Sequence, residues 1–191
     1  MDVSARMIVQ RFLIPQRIVN LFYMLRYRCF ISSKAEVELT KNLKIGRGVT
    51  ISSFTKLKAT NGILEIGRES GFATCCFLSA DFGGIKIGNF CIFGPSVTVT
   101  SSNYIHDSLD IPFKEQGFTS KGVVIGNNVW VGAGSTILDG TVVGDNTIVV
   151  ANSLLNRRYP ANSILQGNPA KVILKRSQGA VNDEGQDFRV G

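Results

Sequence analysis

Large aliphatic or aromatic residues recur every six positions through most of the chain. Ile45, Ile51 and Leu57 open the series, followed by Ile66, Phe72 and Leu78, then Ile87, Phe93 and Val99. It resumes with Ile125, Val131 and Ile137 and closes with Val143, Val149 and Leu155. Glycine directly follows seven of these fifteen residues, as in Phe93-Gly94 and Val131-Gly132. Four positions after an apolar residue the side chain is mostly small or β-branched, as at Thr55, Ser70, Cys76 and Ser135. A period of six matches neither the 3.6 of a helix nor the alternation of a hairpin meander. It predicts a short strand and a corner, repeated, with three units closing a triangular turn of 18 residues. Successive turns then stack as parallel strands about 4.8 Å apart. The expected fold is all-β, a parallel β-helix of about five triangular coils. The triplets begin at residues 45, 66, 87, 125 and 143, so insertions of 3, 3 and 20 residues interrupt the 18-residue step. The long insertion follows the third coil, and an insertion of that size in so regular a chain points to function.

Outside the repeat, residues 7–28 mix apolar side chains with Arg. Ile18, Leu21, Phe22 and Leu25 have helical spacing, which predicts a helix over residues 16–27 with Pro15 at its start. Two readings stand: a cap over the open first coil, or a basic amphipathic anchor in peripheral contact with anionic membrane. The expected organisation is an N-terminal helical cap over 1–38, the β-helix over 39–176 with a loop at 100–124, and a frayed tail over 177–191. Residues 170–176 are expected to close the far end as a short basic strand or helix.

Composition narrows the function classes. The 191 residues are 44% hydrophobic and 18% charged, suited to one domain with a substantial core. The net charge of +7 sits at the two ends of the chain, because residues 31–156 carry ten basic and ten acidic groups. A nucleic-acid groove spread over the fold is therefore not expected. Cys29, Cys75, Cys76 and Cys91 have no CxxC or zinc-ligand spacing, and reduced thiols in a cytoplasmic protein are expected. One histidine, His106, excludes any site that needs two from one chain, and no metal is expected. No apolar run reaches the length of a membrane span.

The repeat, the stretch Ile125-Gly-Asn-Asn-Val-Trp130-Val-Gly-Ala-Gly-Ser-Thr-Ile, and the ending Tyr159-Pro-Ala-Asn-Ser-Ile-Leu-Gln-Gly167-Asn-Pro-Ala-Lys171 resemble the left-handed β-helix acyltransferases. The sugar O-acetyltransferases of the maltose/galactoside type and of capsule and lipopolysaccharide are the most similar. The resemblance covers roughly residues 40–175. It implies a left-handed coil, a homotrimer, and acetyl-CoA bound between subunits as the donor for acetylation of a sugar hydroxyl in polysaccharide biosynthesis. N-acetylation of an amino sugar is the alternative on the same scaffold. A non-catalytic solenoid is the alternative of another class, though it would give no reason for a long insertion carrying the one histidine.

The residues themselves suit acyl transfer. His106 is the side chain whose ordinary pKa fits a general base near neutrality, and it sits in the long insertion. The resemblance places a catalytic histidine in the corresponding insertion. No Ser or Cys pairs with a second base, so direct attack is expected. The oxyanion donor is expected to be a backbone N–H, and the resemblance aligns it with Ala133. Gly132, Ala133, Ala151 and Gly167 recur in register as a small-residue line for the arm of CoA, or as plain corner packing. The resemblance adds Arg157 and Lys171 against the CoA phosphates; a solvated basic end is the other reading. Asp81, Asn103 and Trp130 are the candidates for acceptor binding. Asp81 is one residue out of step with the pattern, and Thr74-Cys75-Cys76 stands where the family often has Asn.

Overall fold

The computed structural model describes residues 14–176; the expected tail, 177–191, and the first part of the expected cap lie outside the described residues. Helix α1, Gln16–Tyr27, precedes a parallel β-helix with three faces. The first face stacks β1 (Phe30–Ile31), β4 (Thr50–Ile51), β7 (Gly71–Phe72), β10 (Ile92–Phe93), β15 (Trp130–Val131), β18 (Ile148–Val149), β21 (Ser163–Gly167) and β22 (Ala170–Lys175). The second stacks β2 (Glu36–Val37), β5 (Lys56–Lys58), β8 (Phe77–Ser79), β11 (Thr98–Thr100), β16 (Thr136–Ile137) and β19 (Leu154–Leu155). The third stacks β3 (Leu43–Ile45), β6 (Leu64–Ile66), β9 (Ile85–Ile87), β14 (Val123–Ile125), β17 (Val142–Val143) and β20 (Arg158–Tyr159). Between β11 and β14 the long insertion carries a small antiparallel pair, β12 (Asn103–Tyr104) and β13 (Phe118–Thr119).

All fifteen residues of the six-residue series point inward and are buried. They stack in register from coil to coil, as in Phe72↔Phe93↔Val131↔Val149 on the first face. The described residues hold six coils, one more than the repeat alone implied. The first coil, Phe30 to Ile45, starts inside the segment read as the cap, because Ile31 and Val37 are also buried interior residues.

The corners explain the small residues. Their side chains turn inward and bond carbonyls of the following coil: Thr55 Oγ1 donates to Ala73 O at 2.8 Å, and Ser70 Oγ to Gly88 O at 3.0 Å. Cys76 Sγ and Cys91 Sγ do the same towards Gly94 O and Gly126 O, at 3.2 and 3.1 Å. The buried thiols thus act as small donors, and burial pushes both up from the ordinary thiol pKa. Glycine after the apolar residue serves close approach. A Cβ on Gly94 or Gly132 would lie 2.7 or 2.5 Å from the backbone nitrogen of Ala133 or Ala151 in the next coil.

Helix α1 lies across the open end of the first coil. Val19, Asn20 and Tyr23 are its buried residues. Asn20 Nδ2 donates to Ser32 O and Ala35 O, Gln16 Nε2 to Val37 O, and Tyr23 Oη reaches Glu38 O and Thr40 O, all within 2.8–3.1 Å. The stripe read from the sequence, Ile18, Leu21, Phe22 and Leu25, faces solvent instead. At the far end β22 folds back antiparallel on β21, and buried Ala170 takes Arg157 Nη2 (2.6 Å) and Tyr159 Oη (3.3 Å) on its carbonyl. No helix of the described residues is long and apolar enough to cross a membrane.

The register makes a direct prediction. Val131→Asp puts an unpaired carboxylate into a narrow apolar prism and should cost at least about 4 kcal/mol, abolishing a cooperative thermal transition at the parent temperature. A folded variant with the parent Tm would refute the assignment of Val131 to the interior.

Candidate active site

The long insertion leaves the coil at the corner between the second and third faces. Its two ends are tied down by polar groups of neighbouring coils. Ser102 Oγ donates to Asp81 Oδ2 at 2.5 Å, and Asp81 Oδ1 accepts from Asn61 Nδ2 at 3.2 Å. Ser120 Oγ accepts from Gly83 N at 2.7 Å and donates to Ser101 O. The buried carboxylate of Asp139 accepts from Lys121 N and Gly122 N at 2.7–3.0 Å. The insertion is thus a built β-hairpin: β12 pairs with β13, Phe118 stacks on Phe82 at 5.8 Å, and Gln116 bridges Ser108 and Ile111 across the tip.

His106 lies two residues beyond the stem and is exposed. Its Nδ1 is 3.3 Å from Tyr104 O. With the proton on Nδ1 donated to that carbonyl, Nε2 keeps a lone pair directed away from the stem. That is the arrangement a general base requires. Asn103 lies exposed in the stem on β12, three residues before His106. Asp81 sits at the base with both oxygens engaged, so the structure places it as an anchor of the hairpin.

The second half of the site is at a different corner, between the first and second faces. Register puts Pro95, Ala133, Ala151 and Gly167 in one column there. Among the described residues the N–H groups of Ala133 and Ala151 have no hydrogen-bond partner, and both residues are exposed. The same slot at the corner between the third and first faces is closed: Arg68 N, Asn89 N and Asn127 N donate to Asn89 Oδ1, Asn127 Oδ1 and Asp145 Oδ1 of the following coil, at 2.7–2.9 Å. Alanine in place of Asn or Asp leaves the amides open. Asp139 occupies the equivalent slot at the remaining corner, which is how it comes to hold the hairpin. Its role was missed in the sequence, although an acidic residue two places after Ile137 is the available signal.

Within one chain the two halves do not meet. The width of the second face separates the His106 hairpin from the Ala133 column. Trp130, on the outer side of β15, is half exposed and lies beside the Ala133 corner rather than beside the hairpin. Lys171 is exposed and pairs with Gln166 next to Gly167, at the far end of the amide column. Arg157 leaves the coil at a different corner, and its guanidinium is held by the carbonyl of Ala170, the register partner of Gly167, and lies over Tyr159. Gly132 N is taken by Val149 O at 2.8 Å, so Gly132 contributes space and no free donor.

Residues 122–157 match the bacterial transferase hexapeptide (six repeats) family. Those residues carry the hexapeptide repeat, which the six-residue apolar series continues back to Ile45. Hexapeptide repeats indicate a left-handed β-helix, against the usual right-handed crossover. It is 27% identical over 159 residues to the Escherichia coli K12 protein named "Putative lipopolysaccharide biosynthesis O-acetyl transferase WbbJ", covering 80% of this chain and 78% of WbbJ. It is 32% identical over 111 residues to galactoside O-acetyltransferase of the same organism, covering 58% of this chain and 53% of that protein. The chain thus spans about half the length of the second relative. Among solved structures, a variant of AntD, an N-acyltransferase from Bacillus cereus in complex with dTDP and coenzyme A, superposes with a TM-score of 0.70 at 24% identity, covering 78% of this chain and 82% of AntD. At that identity the likeness is one of fold.

The hairpin's attachment is testable apart from any chemistry. Asp139→Ala leaves Lys121 N and Gly122 N without their buried acceptor and should lower stability by about 2–3 kcal/mol. Limited proteolysis should then cut first between residues 101 and 122. Parent-like stability and cleavage would show that Asp139 does not hold the insertion.

Proposed function

We propose that this chain is an acetyltransferase that moves the acetyl group of acetyl-CoA to a sugar hydroxyl, with His106 as general base and Ala133 N–H as oxyanion donor. The observation that carries the reading is the pair of open amides at Ala133 and Ala151, in a slot that other corners of the coil close with Asn or Asp. Open amides in a column of small residues suit a thioester oxygen and the extended arm behind it. His106 Nε2 takes the acceptor's hydroxyl proton as its oxygen attacks the thioester carbon. Collapse of the tetrahedral intermediate breaks the C–S bond, and the imidazolium returns the proton to the departing sulfur. No covalent acyl-enzyme is required. The O-acetyltransferase names of WbbJ and the galactoside enzyme favour a hydroxyl acceptor on a saccharide of polysaccharide, capsule or lipopolysaccharide synthesis. AntD's name favours an amine, and an acceptor screen with free-thiol detection decides between them. Asp81, Asn103 and Trp130 are the proposed acceptor contacts, Asp81 also anchoring the hairpin, and we place the protein in the cytoplasm on its four free thiols.

Separation of the two halves within one chain supports a site shared between neighbouring copies in a homotrimer. His106→Ala should keep the fold and lower turnover by about 10²–10⁴-fold. Ala133→Pro removes only the N–H, and Pro95 already occupies the corresponding position one coil earlier, so the backbone there accepts proline. Each variant alone should be nearly inactive. Refolded together, they should regain about a quarter of parental activity, since some sites pair an intact hairpin with an intact amide. Normal activity of His106→Ala would remove the base, and failure of the mixture to recover would place both groups in one chain.

Lys171, at the end of the amide column, is proposed to meet the CoA phosphates. Arg157 is proposed there too, although its hold on Ala170 leaves it a smaller part. Lys171→Ala should raise KM for acetyl-CoA severalfold with kcat nearly unchanged, because the phosphates are bound alike in ground and transition states. A fall in kcat at constant KM would put Lys171 in the chemistry and reverse the direction of CoA along the coil.

A further inference from the structure

Helix α1 buries Val19, Asn20 and Tyr23 against the first coil and leaves an apolar stripe facing outward. Its orientation is fixed, because Gln16, Asn20 and Tyr23 are bonded to carbonyls of the first coil. Ile18, Leu21, Phe22 and Leu25 are left 58%, 53%, 52% and 74% exposed. At 100° per residue Leu25 and Ile18 form the crest of this face, with Leu21 and Phe22 on either side. Arg17 flanks one margin and Arg26 the other, both exposed. Residues 14–35 contain four basic groups and no acidic one.

We propose that this face of α1 is a docking surface for an anionic lipid bilayer. The charge arrangement selects the occupant. Arginine on both margins of an apolar crest, with no acid between, matches a uniformly negative plane into which the crest dips while the guanidinium groups stay at the headgroups. The coil supports that geometry: α1 lies across one end of the prism, so among the described residues its outer face is also the end face. The bilayer would be met end-on, leaving the hairpin and the amide column along the sides. This reading is independent of the proposed chemistry.

The test is flotation of the full chain with vesicles of phosphatidylcholine plus phosphatidylglycerol, beside vesicles of phosphatidylcholine alone. Parent protein should bind the anionic vesicles and lose binding at high salt. Leu21→Ser/Leu25→Ser and Arg17→Gln/Arg26→Gln should each weaken partitioning at least about tenfold, since apolar burial and surface charge both contribute to binding an anionic bilayer. All four side chains are exposed, so parent-like Tm values are expected. Equal binding to both vesicle types, or no binding by the parent, overturns the proposal. So does a change in oligomeric mass in Leu21→Ser/Leu25→Ser, which would identify the face as a contact between copies of the chain.

Discussion

Every residue of the coil lies one strand spacing from the residue in the same slot of the next coil, and the rest of the structure depends on that closeness. Interior slots line a prism too narrow for water or a counter-charge, so they are apolar without exception from Ile45 to Leu155. At the corners the same spacing presses backbone on backbone, which Gly94 and Gly132 permit by having no Cβ. It also leaves corner carbonyls facing inward. Thr55, Ser70, Cys76 and Cys91 satisfy them, and the two thiols serve as well as hydroxyls because only a short neutral donor is needed.

One slot, two residues after each interior apolar residue, takes different forms at the three corners. Asn and Asp close it where the third face meets the first, and each capping oxygen satisfies the amide of the coil before. Asp139 turns the same slot towards the hairpin. Ala133 and Ala151 leave it open. An amide exposed to water has solvent as its partner, so an open slot costs the fold little. Once a bound molecule excludes that water, the amide becomes a fixed donor needing no rearrangement.

Much of this was legible in the sequence, and the exceptions share a cause. The apolar series was legible because burial on a six-residue period has no rival explanation, and α1 was legible from its spacing. The first coil was hidden because the bulge at 38–42 breaks the step between Val37 and Ile45. The outward stripe of α1 was misleading for a physical reason: the end of a β-helix offers unpaired carbonyls, so the side chains it recruits are Gln16, Asn20 and Tyr23. The hairpin inside the insertion depends on Ser120 and Phe118 meeting partners remote in sequence. No local pattern announces those pairs.

The insertions all emerge at one corner, and that regularity ties the hairpin to the coil. Glu38 accepts from Ala59 N and Thr60 Oγ1, Asp81 from Asn61 Nδ2 and Ser102 Oγ, and Asp139 from Lys121 N and Gly122 N. The first bulge therefore rests on Glu38 of the coil before it, the second supplies Asp81 to both of its neighbours, and the longest insertion is gripped at both ends, from below by Asp81 and from above by Asp139. A charge-assisted bond at each end of the stem fixes the plane in which β12 and β13 leave the prism. His106, two residues past that stem, inherits its direction from the stacking of the coil. The long insertion is thereby an extension of the repeat's own geometry, and that geometry directs it away from the amide column of the same chain.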